Sequence, residues 1–454
     1  MKENILKRHL IAFPILGMLL MAFLFTGCSG DDETGGSMIT VDAVYLQDVN
    51  STVPDREVTF ARLGQLLRFE GSGFTGIKRI FINGFQTSFN PVYVSDTSML
   101  LRVSGDTPTI EAEDDVRNTI RLVKDSGNET TIDFEIRSSS PAITKISNTL
   151  PNAGEEITVF GSGLIEVSKV VFPGDIEVTS GISFDEEDGE FFTVTVPDGV
   201  SDDGGSLYVE TANGAAYSPA FFNVKRGLII NFDGIGELGE FGNTIRQNQL
   251  TSEPIGMGNV SQGNYLPIRN DTIAAFGAGK NRVAEVFTSG NESWRSQYTS
   301  FIPASTPLDE VGFQFDIYVP ESWEGSGYLK ILLINNFNGG EFSGGVYNYI
   351  PWIVDGEVEA FETEGWTTVT VPFTDFYLFN DSDDYTFEDV LQYRESANFK
   401  NFGFFFENSD FNLNDIPGES GDMEFPSSDT SVQLYLDNWR IVSLETPTVT
   451  DFPE

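Results

Sequence analysis

Residues 64–84 read GQLLRFEGSGFTGIKRIFING, and residues 154–174 read GEEITVFGSGLIEVSKVVFPG. Gly64, Gly71, Gly73 and Gly84 return ninety positions later as Gly154, Gly161, Gly163 and Gly174, with no gap across the 21 residues. Each copy alternates apolar and polar residues into a Gly-Ser-Gly turn, then alternates again towards a closing glycine. That pattern predicts two strands joined by a tight turn. Turn signals recur through both ninety-residue blocks at the spacing of short strands, which predicts two small β-sandwiches.

The GSGF-type turn and the V-x-F-x-G type of strand after it resemble the immunoglobulin-like IPT/TIG module. The second copy also carries VTVP (Val194–Pro197) and LYVETANG (Leu207–Gly214), which that module usually shows. The first copy departs after Leu101, where EAEDDVRNT replaces the expected turn. The resemblance implies Ig-like domains at residues 39–138 and 139–226. Neither contains a tryptophan, which favours spacing over ligand capture as their task.

Residues 227–446 differ in kind, for they hold all five tryptophans and ten of the fourteen tyrosines. GLIINFDG opens the segment as a buried strand and VQLYLDNWRIVSL closes it. Between them VGFQFDIYVP, GYLKILLINNF, GWTTVTVPFTDF and NFGFFFEN are strand-length and mostly of period two. No window carries a helical stripe. One larger β-sandwich of jelly-roll type fits these signals, with a tail at 447–454. The expected fold class is all-β: two Ig-like sandwiches, then a larger jelly roll.

The amino terminus carries an address. Lys2, Lys7 and Arg8 precede the apolar run LIAFPILGMLLMAFLF, which ends in LFTGC. A basic start before a run too short to be trusted as a spanning helix predicts a signal peptide at 1–27. The small residues before Cys28 resemble a lipobox, whose cysteine sulfur receives diacylglycerol and becomes the first residue. Phe25 stands where leucine is commonest. An acidic tether follows at 28–38, and its SGDDETGGS resembles the export tag that sends lipoproteins of the Bacteroidota to the outer cell face. A simple solvated tether is the alternative.

Composition excludes much chemistry. His9 is the only histidine and lies in the leader, and Cys28 is the only cysteine. Intrachain disulfides, Ser-His-Asp triads, Cys-His pairs and histidine-bound zinc are therefore excluded. Without residues 1–27 the chain keeps 23 bases against 68 acids, a net charge of −45 that repels nucleic acid and anionic headgroups. The acidic runs Asp381–Asp384 and Glu359–Glu364 offer oxygen ligands for a structural calcium. Neither has the EF-hand spacing, and solvated loops explain them more simply. No cofactor is expected.

The stretch GGVYNYIPWI (344–353) holds Tyr347, Tyr349 and Trp352. A pyranose ring presents a flat face of C–H bonds that an aromatic ring covers by dispersion, while hydroxyls at its edge stay free to hydrogen-bond. Tyr347 and Tyr349 share one side of an extended strand, about 7 Å apart. Pro351 cannot donate to a ladder, so a bulge there would bring Trp352 to the same side. Trp294, set among the polar residues of SGNESWRSQY with Arg295 and Tyr298, is the expected fourth ring. Asn336, with Asn335 and Asn348, offers hydrogen bonds to hydroxyls, though turns explain asparagines almost as well. Trp366 and Trp439 open or sit within alternating strands and are expected in the core, and Trp323 leans towards packing beneath a turn.

GWTTVTVPFTDF and LYLDNWRIV are similar to paired strands of carbohydrate-binding modules. With the lipobox, acidic tag and tandem modules, the chain resembles the surface glycan-binding proteins of Bacteroidota polysaccharide utilisation loci. The resemblance implies a lipid-anchored outer-membrane protein facing outwards, whose Ig-like spacers hold a glycan-binding domain beside a TonB-dependent transporter. From Gly227 onward 9 bases face 36 acids, which favours a neutral polysaccharide of β-glucan, xyloglucan or mannan type. Capture without catalysis is the leading expectation. A glycoside hydrolase or lyase needs only two carboxylates at a set separation, but no motif isolates such a pair. A protein-binding adhesin is the third reading.

Overall fold

The computed structural model describes residues 37–47, 55–186, 188–239, 250–253, 262–334, 345–398, 400–416 and 423–449. The leader, Cys28, most of the acidic tether, Asn335 and Asn336 lie outside them. The chain divides into two compact units at Ser138/Ser139.

The first unit is a sandwich of two four-stranded antiparallel sheets. One contains β1 (Thr40–Leu46), β2 (Leu66–Ser72) and the strand Ser98–Arg102, and the other is built on β3 (Ile77–Ile82) and β4 (Thr119–Lys124). Alternate residues Leu67, Phe69, Ile80, Ile82, Ile120 and Leu122 are fully buried between them. The repeated glycines have a steric cause. A Cβ at Gly71 would stand 2.0 Å from the Thr40 carbonyl oxygen, and one at Gly161 would stand 1.9 Å from that of Ala142. Gly73 and Gly163 follow at φ +74° and +66°, where side chains are strained. Both copies also place a bulge opposite this turn, at Val41/Ala43 and at Ile143/Lys145.

The second unit begins with the second Ig-like sandwich. One of its sheets includes β5 (Ala142–Ile146), β6 (Glu156–Ser162) and the strand Phe191–Thr195, and the other includes Lys169–Phe172 and Tyr208–Thr211. Its core contains Val159, Val170, Phe172, Phe192 and Val209, and also takes in Val442 from near the C-terminus.

The larger sandwich completes the unit. Its five-stranded sheet joins β7 (Leu228–Ile230), β8 (Leu266–Ile273), β10 (Val311–Tyr318), β13 (Thr367–Pro372) and β15 (Thr430–Ser443). Its four-stranded sheet runs in the order β9 (Arg282–Phe287), β14 (Gly403–Glu407), β11 (Tyr328–Leu332), β12 (Val346–Tyr349). Trp439 lies between the sheets, its ring stacked on Phe404 at 3.9 Å and on Phe315 at 4.7 Å. It is a core residue, as its strand pattern predicted. The all-β expectation holds, with one addition: among the described residues two α-helices, α1 (Trp294–Tyr298) and α2 (Phe387–Ser396), sit in segments that showed no helical stripe.

A buried polar network ties the two sandwiches of this unit together. Arg440 Nη2 donates to Asp316 Oδ1 at 2.9 Å and to Thr149 Oγ1 of the Ig-like sandwich at 2.8 Å. Thr149 N–H donates to Thr368 Oγ1 at 2.9 Å, and Thr368 Oγ1 donates to Asp316 Oδ1 at 2.8 Å. The Thr368 backbone N–H reaches the Ser147 carbonyl at 2.8 Å. A buried charge pair of this kind is tolerable because Asn438 Nδ2 donates to the other Asp316 oxygen at 2.9 Å, while Gln314 Oε1 and the Asn438 carbonyl accept from Arg440 Nε and Nη1.

Candidate glycan-binding site

The expected open platform is not presented by the rings named for it. Trp352 is fully buried, donating from Nε1 to the Gly327 carbonyl at 2.9 Å. Phe411 and Phe425, stacked on each other at 5.0 Å, pack against it at 5.7 and 5.9 Å. Pro351 and Trp352 leave the strand in a turn, and the ring goes inwards rather than back to the tyrosine face. Tyr349 is buried against Phe315 and Trp323, and burial raises its hydroxyl well above the usual tyrosine range. Trp323 packs beneath its turn, donating to the Ser326 carbonyl at 3.1 Å. Tyr347 remains half-buried against Phe376.

Trp294 and Tyr298 are corrected for a different reason. They stand four apart on α1, so both point inwards while their polar neighbours face water. Ser293 caps the helix by accepting from the Ser296 N–H. The Arg394 guanidinium lies 3.6 Å from the centre of the Trp294 ring. Burial lowers Arg394 to about 10, and its Nη2 reaches the Lys400 carbonyl at 2.6 Å. Arg295, on the outer side of α1, binds Glu388 with Nη1 and Nη2 at 2.6 and 3.0 Å, and Glu395 with Nε and Nη2 at 2.8 and 3.0 Å. It ties α1 to α2 rather than waiting for a ligand. Asn348 lies half-buried opposite Lys330, and its Oδ1 has no partner among the described residues.

The open aromatic surface lies elsewhere, on the segment that leads into α2. Tyr377 is 62% exposed and is held by its backbone, which exchanges hydrogen bonds with Val346 and Gly345 at 2.8 and 2.9 Å. Beside it runs a groove of ≈ 630 Å³, lined by Phe379, Tyr385 and Tyr393 with Asp389, Gln392 and Glu395 among its polar groups. Phe379 forms the floor, with Tyr385 and Tyr393 set edge-on to it at 5.6 and 5.8 Å. Tyr385 Oη donates to Asp381 Oδ1 at 3.0 Å, and this hydrogen bond to a carboxylate raises the tyrosine pKa above its ordinary value. The groove keeps its shape because α2 is fixed at both ends. Asp389 accepts from the Thr386 N–H at the N-terminus, and Arg295 grips Glu388 and Glu395. Half-exposed rings edged by amide and carboxylate groups suit the C–H faces and hydroxyls of neutral sugars.

None of the groove tyrosines was singled out from sequence. The signal lay in YLFNDSDDYTFEDVLQY, where aromatics recur around a Thr-x-x-Asp helix start. Among the described residues no group of three or more Asp, Glu, His or Cys side chains is placed to hold a metal ion, including at Asp381–Asp384.

Comparison with known proteins bears on this sandwich directly. Residues 222–443 match the protein-family model described as the surface glycan-binding protein B xyloglucan-binding domain. Over these residues the chain is similar to surface glycan-binding protein B. A crystal structure of surface glycan-binding protein PbSGBP-B from Prevotella bryantii superposes with a TM-score of 0.63 at 18% identity, covering 90% of this chain and 100% of that one. That likeness speaks for the shared fold. An IPT/TIG domain-containing protein from Bacteroides ovatus is 25% identical over 324 residues, 68% of this chain. The chain spans about half of that relative's length, 54%. The SGBP-B from a complex xyloglucan utilisation locus in Bacteroides uniformis is also similar, at 17% identity and TM-score 0.47 over 90% of this chain and 100% of that one. The family model and the two solved structures named here are those of surface glycan-binding proteins.

Proposed function

We propose that this chain captures a neutral polysaccharide of β-glucan type, xyloglucan foremost, without cleaving it. The observation that carries the reading is the match of residues 222–443 to the xyloglucan-binding domain family. The groove of Phe379, Tyr385 and Tyr393, with the exposed Tyr377 beside it, is the binding surface. Its open form admits a polymer from the side, and its carboxylates discourage polyanionic glycans. Stacked rings contribute dispersion, while Gln392 and the tyrosine hydroxyls read the sugar edges. Lipidation at Cys28 anchors the chain to the outer membrane with its acidic tether facing outwards. There it holds glycan beside a TonB-dependent transporter. Affinity-gel electrophoresis against xyloglucan, mixed-linkage β-glucan, mannan, xylan and starch tests the ligand class, and a reducing-end assay tests the absence of cleavage. Retardation by xyloglucan or β-glucan with no new reducing ends is the expected outcome; new reducing ends would make the chain an enzyme.

A further inference from the structure

Where the second Ig-like sandwich meets the larger one, a cleft of ≈ 810 Å³ opens beside β13. Its size falls within the range of roughly 300–1,000 Å³ typical of small-ligand sites. The larger sandwich contributes Trp366 and Phe361 with Thr370, and the Ig-like sandwich contributes Phe160 and Lys145. Phe160 is 36% exposed although it is large and apolar.

Two features distinguish this cleft from a packing defect. Trp366 is only 9% exposed, and its Nε1–H is buried with no acceptor among the described residues. An unpaired buried donor is unfavourable, so a small shift of this wall that brought the Nε1–H to a ligand oxygen would be favoured. β13 is also the edge strand of its sheet. Ser147 covers its start by accepting from the Thr368 N–H and the Thr367 hydroxyl, both at 2.8 Å, while Thr370 beyond it stays exposed. Aromatic faces therefore stand beside hydroxyls and open strand edge. The charged lining groups are Glu362, Glu364 and Lys145, two acids to one base, which selects against anionic ligands. The Arg440–Asp316–Thr149 network holds both walls in register, so binding has little ordering to do.

We propose that this cleft is a second carbohydrate subsite, taking a short stretch of a neutral pyranose polymer. The second Ig-like sandwich is then part of the binding surface as well as a spacer. The inference rests on the glycan-capture reading and adds a site that the groove does not supply. Two sites on one polymer raise its avidity without any new contact in either.

Isothermal titration of residues 28–454 with a short xyloglucan oligosaccharide tests it. Two equivalents should bind. Thr370→Arg, which fills the cleft from an exposed position, should leave one, and so should Phe160→Ala on the opposite wall. Tyr377→Ala with Tyr393→Ala should leave the other. Each cleft variant should lower affinity for polymeric xyloglucan at least tenfold; Phe160→Ala should keep Tm within about 2 °C of the parent, whereas Thr370→Arg also removes the acceptor of Gln314 Nε2 and is read on stoichiometry and affinity. One equivalent in the parent, undisturbed by Thr370→Arg and Phe160→Ala, would overturn the second subsite while leaving the groove reading intact. No binding by any variant or by the parent would overturn both.

Discussion

At the scale of single residues, Trp352 and Tyr377 separate packing from presentation. Trp352→Ala would leave a cavity under Phe411 and Phe425 and should destabilise the fold by about 3–5 kcal/mol, measured by denaturant unfolding. Tyr377→Ala and Tyr393→Ala should each weaken glycan binding about tenfold, ~1.4 kcal/mol, with little change in unfolding. The sequence distinguished these rings poorly. Tryptophan and tyrosine suit a core and a sugar platform equally well, and parity along a strand does not survive a turn such as that at Pro351. Trp439 was legible because unbroken alternation surrounded it. Trp294 was not, since its polar neighbours belong to the outer side of a short helix.

Arg295 gives a residue-scale prediction with a pH window. Its hydrogen bonds hold the Glu388 carboxyl at about 2, below its ordinary 4.5. A depressed folded pKa means that the stabilisation is complete above the unfolded value and is lost as pH falls towards the folded one. Arg295→Gln should therefore lower Tm at pH 7, and the difference from the parent should close between pH 4.5 and 2. A constant difference across that window would show that α1 and α2 are joined by packing alone.

At the scale of elements, the repeat was readable because geometry imposes it. Gly71 and Gly161 each meet a carbonyl oxygen too closely for any Cβ, so both copies must keep glycine. Gly161→Ala should weaken the β5–β6 pairing and lower Tm, as should Gly71→Ala between β1 and β2, each measured by thermal unfolding. The network around Arg440 could not be read in this way, because Thr149 and Arg440 are 291 positions apart. Arg440→Met would leave Asp316 buried without its cation and should cost about 3–5 kcal/mol. Loss of less than about 1 kcal/mol would mean that Asp316 is supported by Thr368 and Asn438 alone.

At the scale of the whole molecule, the second Ig-like sandwich and the larger sandwich form one compact unit, so residues 139–454 should unfold in a single cooperative transition. A separate residues 227–454 fragment would lose the Ser147 and Thr149 contacts and should melt earlier. Cys28→Ala should abolish palmitate labelling in cells. Capture of a neutral glycan remains the central claim, and affinity-gel electrophoresis of residues 28–454 through xyloglucan tests it most directly. The account predicts marked retardation of the parent, reduced retardation of Tyr377→Ala with Tyr393→Ala, and no change with Trp352→Val provided that it folds. Parent protein that migrates through xyloglucan and mixed-linkage β-glucan as fast as through a gel without polysaccharide would contradict it.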